Sequence, residues 1–125
     1  MSGTGNQRTS PKASFDGGAK AYRSINLLAT GLVVKASKAN LYSVSAHNIN
    51  AAVRYLKIYD KATAATASDT PALTIPMPAT GQVNLTFPLG ISFLNGISIR
   101  ATTELADAGT TAPSANETIV NLSYQ

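Results

Sequence analysis

The segment Phe87-Pro-Leu-Gly-Ile-Ser-Phe-Leu-Asn-Gly-Ile-Ser-Ile99 constrains this chain most: two apolar, β-branched runs punctuated by Pro88, Gly90 and the pair Asn95-Gly96. Asn-Gly between alternating apolar residues is a strong hairpin signal, because both residues tolerate the positive φ angles of a type I′ turn. The segment therefore predicts tightly connected strands and, with them, an all-β domain.

The same grammar runs along the chain from Tyr22. Ile25 to Ala29 and Leu32 to Ala36 flank Thr30-Gly31 as candidate strands. Leu41 to Asn48 alternates, with Tyr42, Val44 and Ala46 on one face and Ser43, Ser45 and His47 on the other. Val53 to Asp60 does the same; Leu56 and Ile58 are the expected core pair, and Tyr55, Lys57 and Tyr59 share the opposite face. Such period-two patterns mark half-buried strands. The Ala/Thr-rich stretch from Ala62 to Pro71 reads as a loop, because Asp69-Thr70-Pro71 and the interspersed threonines break a helix. Leu73, Ile75 and Met77 form a strand in which Pro76 removes a ladder donor and so favours a sheet edge. Val83, Leu85 and Phe87, then Ile91 and Phe93, then Ile97, Ile99 and Ala101 continue the series. Leu105 to Asn116 is a polar loop of the kind that carries contacts. Thr118, Val120, Leu122 and Tyr124 end it as a strand. About eight short strands at close spacing predict a single antiparallel β-sandwich or jelly-roll-like barrel.

Residues 1–24 differ in kind. They are rich in Gly, Ser and Thr and too poor in apolar side chains to bury a face, so they are expected to form an extended N-terminal arm ahead of a domain spanning 25–125. At roughly 3.3 Å per residue such an arm reaches close to 80 Å, enough to cross onto a neighbour. Arg8, Lys12, Lys20 and Arg23 give it a basic character suited to a partner surface.

Charge follows the same polarity. Of 125 residues only 13% are charged, about half the usual share. Up to Lys61 the chain carries nine of its ten basic residues against Asp16 and Asp60, a balance of +7; beyond it Arg100 stands against Asp69, Glu104, Asp107 and Glu117, a balance of −3. Opposite ends of this kind can orient a protein on an acidic partner or pair neighbouring copies. Tyr55, Lys57 and Tyr59 form a candidate contact stripe, since tyrosine offers large area at small entropic cost.

Chemistry is not written into the pattern, and no catalytic, cofactor-binding or metal-ligating residue is expected. The absence of Cys excludes thiol nucleophiles, disulfides and Cys-zinc sites. His47 is the one histidine, and a Ser/His arrangement with Ser43 and Ser45 would need an orienting carboxylate and an oxyanion hole that no motif supplies. The acids follow no EF-hand spacing. Asn84-Leu-Thr86, Asn116-Glu-Thr118 and Asn121-Leu-Ser123 match the glycosylation pattern, yet with no secretory leader in view they read as ordinary polar positions. Basic residues are not interleaved with stacking aromatics, so nucleic-acid binding is not expected, and no apolar run is long enough to span a membrane.

Five stretches taken together resemble a known group: Leu41-Tyr-Ser-Val-Ser45, Arg54-Tyr-Leu-Lys-Ile-Tyr-Asp-Lys-Ala62, Pro71-Ala-Leu-Thr-Ile-Pro-Met-Pro78, Gly90-Ile-Ser-Phe-Leu-Asn-Gly-Ile-Ser-Ile99 and Asn121-Leu-Ser-Tyr124. Across roughly residues 30 to 125 the chain is similar to small virion proteins of tailed bacteriophages. The resemblance implies a non-enzymatic structural protein, a capsid decoration or cement protein made in the bacterial host cytoplasm and carried in the virion. Its implied partners are the major capsid protein or other virion proteins and further copies of itself in a symmetric homo-oligomer, with no membrane partner. The alternative reading is a tail, fibre or neck-associated module that recognises a glycan, through the 105–116 loop, or another virion protein.

Overall fold

The computed structural model describes residues 18–125. Eight strands make up the fold: β1 (Lys20–Ser24), β2 (Leu32–Lys35), β3 (Ala39–Asn48), β4 (Arg54–Asp60), β5 (Leu73–Met77), β6 (Gly81–Phe93), β7 (Ile97–Thr102) and β8 (Thr118–Tyr124). They form two antiparallel four-stranded sheets, sheet A in the order β1-β8-β3-β6 and sheet B in the order β2-β7-β4-β5. Only the β4 to β5 connection stays within a sheet; every other one crosses between sheets. This is the jelly-roll order, and the expected all-β sandwich is the fold of the chain.

Alternation along each strand builds the core. Leu41, Val44, Ala46, Val120 and Leu122 of sheet A meet Leu56, Ile58, Ile75, Met77, Ile97, Ile99 and Ala101 of sheet B, all buried, with Phe93 among them. Leu56 and Ile58 occupy the core as the pattern requires, and Leu56 pairs in register with Ala101 and Ile75. Pro76 lies exposed on the edge strand β5, where its missing N–H costs no ladder bond.

Three expectations change. First, Asn95-Gly96 is not a hairpin turn: β6 belongs to sheet A and β7 to sheet B, and Asn95 does not adopt a positive φ. The connection is held from outside its own strands. Asp60 carboxylate oxygens accept from the backbone N–H of Asn95 (2.8 Å) and Leu94 (3.2 Å), and the Gly96 carbonyl accepts from Lys61 N–H (3.2 Å). Gly96 is needed for close approach, since a Cβ there would lie 2.9 Å from the Lys61 carbonyl oxygen and 3.0 Å from Ala62 Cα. The hairpin signal is local, whereas the sheet a strand joins depends on which partners are already in place.

Second, Pro88 and Gly90 do not end a strand. They lie inside β6, where the four residues 87–90 stand opposite Tyr42 of β3, between the register pairs Leu41↔Ile91 and Ser43↔Thr86. Gly90 takes φ +77° beneath the Tyr42 ring, where a Cβ would approach Cε1 to 2.9 Å. The excursion is a β-bulge on an edge strand, and it leaves Leu89 almost wholly exposed.

Third, the domain starts earlier than composition suggests. Lys20–Ser24, expected within the arm, is strand β1 at the edge of sheet A, paired with β8 from Lys20↔Tyr124 to Ser24↔Val120. An edge strand has to bury only one side, and Tyr22 alone supplies it, packing against the core opposite Leu122. Ile25 to Ala29, expected as a strand, instead forms with Thr30-Gly31 the crossing to sheet B. There Leu27 is fully buried, and its carbonyl accepts from Thr118 Oγ1 (2.9 Å).

Candidate interaction surfaces

Each sheet of a sandwich has an inner face on the core and an outer face toward solvent. On sheet B the outer face carries Tyr55, Lys57 and Tyr59 from β4 opposite Thr102, Arg100 and Ser98 from β7. These face away from the core as the alternation predicts, yet Lys57, Tyr59, Ser98, Arg100 and Thr102 are buried and Tyr55 is half-buried. The expected contact stripe is therefore corrected: Lys57 and Tyr59 are not surface residues. Long loops fold over them from both ends of the sandwich. The 61–72 loop comes from one end, and Ala65 N–H donates to Ser98 Oγ (2.9 Å). The 25–31 and 103–117 loops come from the other.

Arg100 holds this cover in place. Its Nε donates to the Ala29 carbonyl (2.7 Å), Nη1 to Tyr59 Oη (2.8 Å) and Nη2 to the Gly109 carbonyl (2.9 Å), and the guanidinium lies 6.0 Å from the Tyr59 ring centroid. Lys57, beside it in register, donates from Nζ to the Ala106 carbonyl. Burial pushes the Lys57 ammonium below its usual pKa, and the neighbouring Arg100 charge pushes the same way, while Asp107 and Glu104 pull it back up. Within the covering loop Glu104 accepts from Thr111 N–H (2.9 Å) and Oγ1 (3.0 Å), and its carboxyl is held below the usual range chiefly by the first of these bonds. The 105–116 loop, expected as a contact loop, is fastened to the sheet beneath it at Ala106 and Gly109, while most of its residues stay exposed.

Sheet A differs. Its outer face presents Gln82, Asn84 and Thr86 from β6, Ser43, Ser45 and His47 from β3, Ile119, Asn121 and Ser123 from β8, and Ala21 and Arg23 from β1. No described loop closes over it, and Gln82, Asn84, Thr86, Asn121 and Arg23 are exposed. Its side chains bond laterally instead: Ser45 Oγ donates to Asn84 Oδ1 (2.7 Å), and the Ser43 and Ser123 hydroxyls pair at 2.5 Å. His47 sits among these, opposite Gln82 and Ile119. Of the arm residues singled out, Lys20 and Arg23 are exposed on β1 at the rim of this face; Arg8 and Lys12 lie outside the described residues.

The two sheets are joined at one end by a buried carboxylate. Glu117 accepts from Arg54 Nε (2.7 Å) and Asn50 Nδ2 (2.6 Å), tying the 49–53 turn and β4 to the start of β8. Burial alone would raise its pKa, but the bonds from Arg54 and Asn50 and the Arg54 charge outweigh it and hold the carboxyl below the usual range. Sequence reading missed both this group and Arg100. The available signal was a charge inside an alternating strand, Arg100 between Ile99 and Ala101, and an acid directly before the last strand.

No family model, curated protein or solved structure matches this chain.

Proposed function

We propose that this chain is a non-enzymatic structural protein of a tailed-bacteriophage particle, a decoration or cement protein that lies on the head shell through the outer face of sheet A and the basic segment leading into β1. The observation that carries the reading is the asymmetry of the sandwich. The central strands of sheet B, β4 and β7, are covered on their outer face by loops, while among the described residues nothing closes over the broad polar outer face of sheet A. That face ends at an edge strand bearing Lys20 and Arg23, and Arg8 and Lys12 precede this strand in sequence. A face of short hydroxyl and amide side chains loses little conformational entropy when covered. Repeated on a symmetric shell, weak single contacts sum to firm attachment. The likeness of its strand sequences to small virion proteins supports the same reading, and the major capsid protein and further copies of the chain are the partners it implies.

The test is to incubate the purified chain with undecorated heads and locate it by electron microscopy, alongside a chain lacking residues 1–19 and an Asn84→Lys/Thr86→Lys variant. Even density over the head, weakened by both changes, is expected. Density confined to the tail or neck, or saturable glycan binding without head labelling, would move the protein to the alternative class. No association with any particle would overturn the virion reading.

A further inference from the structure

A cleft opens among the loops that cover sheet B. It lies between the 29–31 and 64–67 turns and Thr110 and measures about 400 Å³, within the size range of small-molecule sites, with Arg100 along its floor. The walls are small side chains: alanines and Gly31, with Thr30, Thr66 and Thr110. Arg100 contributes the only charge in this lining, and it is positive.

Its bonding is incomplete. A guanidinium has five N–H donors; three are taken by the Ala29 and Gly109 carbonyls and Tyr59 Oη, leaving two without a partner among the described residues. All three acceptors are neutral. The ion pairs among the described residues are Arg54–Glu117 and Lys61–Asp69, so neither Arg100 nor the adjacent buried Lys57 has a carboxylate within ion-pair distance. Glu104 acts on both Lys57 and Arg100, and Asp107 on Lys57, from beyond ion-pair distance; the Glu104 oxygens are engaged by Thr111, and neither acid lines the cleft. Two adjacent cations removed from water with only neutral acceptors favour an anion where one can enter.

We propose that this cleft is a binding site for a small oxyanion, a carboxylate or a phosphate, held by the two remaining N–H groups of Arg100 and the rim threonines. It lies on the covered sheet, opposite the surface assigned above to the shell, so either reading can fail without the other. The test is ¹⁵N NMR titration of the intact chain with sodium phosphate and, separately, sodium acetate, ionic strength being held constant with sodium chloride. Saturable shifts are expected at the amides of 29–31, 64–67 and Thr110 and at Arg100 Nε. Tighter saturation by phosphate identifies a tetrahedral anion as the preferred occupant, and tighter saturation by acetate a carboxylate. Arg100 substitutions also undo the loop cover, so the discriminating variant is Ala64→Asp. It places a carboxylate at the exposed rim, leaves the three Arg100 bonds alone and should weaken binding at least tenfold. A Ser45→Asp control on sheet A should leave binding unchanged. Shifts that fail to saturate with both anions, or equal affinity in Ala64→Asp, would overturn the proposal.

Discussion

The outer faces of the two sheets begin from the same kind of sequence and end in opposite environments. On β3, Ser43, Ser45 and His47 alternate with core residues; on β4, Tyr55, Lys57 and Tyr59 do the same. The first set stays at the surface among hydroxyls and amides, whereas Lys57 and Tyr59 of the second are buried beneath loops from both ends. Alternation assigns a side chain to one side of a sheet. What lies on that side is decided by segments remote in sequence, and here the decisive bonds run from Arg100 to Ala29 and Gly109 and from Lys57 to Ala106.

The strongest way to break this contrast is to remove the group that fastens the cover. Arg100→Ala should lower unfolding stability by about 3 kcal/mol or more in urea denaturation, because it deletes three charge-assisted bonds and empties a buried site. It should also raise amide exchange in the 103–111 loop more than in β3. A smaller effect, about 2 kcal/mol, is expected for Glu117→Gln, which leaves the half-buried Arg54 against a neutral partner. The same variant has a sign that can be checked. Because the folded-state pKa of Glu117 lies below its unfolded value, its contribution is present above the ordinary carboxyl pKa and fades as pH falls through the folded value. Wild type should therefore lose more stability on acidification below about pH 4.5 than Glu117→Gln does.

Lys57 tests the cover differently. Its folded pKa is lowered, so the protonated amine opposes folding, and that cost is relieved as pH rises above the folded value toward the ordinary lysine pKa. Lys57→Met should cost about 1 kcal/mol or less at neutral pH, since the lost bond to Ala106 is offset by the removal of a buried charge. It should also abolish that part of the alkaline gain. On the open face, Asn84→Lys or Thr86→Lys should change stability by no more than about 0.5 kcal/mol, and any larger effect would show that sheet A is not the free surface described.

Much of this molecule could be read from local pattern. The all-β class, the strands from β3 to β8 apart from the continuity of β6 through Pro88 and Gly90, the core pair Leu56 and Ile58 and the edge position of Pro76 all follow from period-two alternation and from a missing N–H, which are properties of neighbouring residues. Strand β1 escaped because an edge strand with one buried side chain, Tyr22, has too little apolar content to stand out from the polar residues before it. Asn95-Gly96 misled because turn chemistry describes how a chain can bend, not which sheet it enters next; only the packed β2 and β4 ends, with Asp60 and Lys61 in place, settle that. The candidate surfaces divide the same way. Lys20 and Arg23 are exposed as their composition suggests, whereas Lys57 and Tyr59 are hidden by loops whose docking depends on Arg100, some 40 positions away in sequence. The sequence by itself determined which residues share a face and that the chain pairs as strands, because both depend on spacing along the backbone. Only the tertiary structure decided which face is covered, where a cationic cleft opens and which charges lose their water, because those depend on contacts between segments that no local pattern connects.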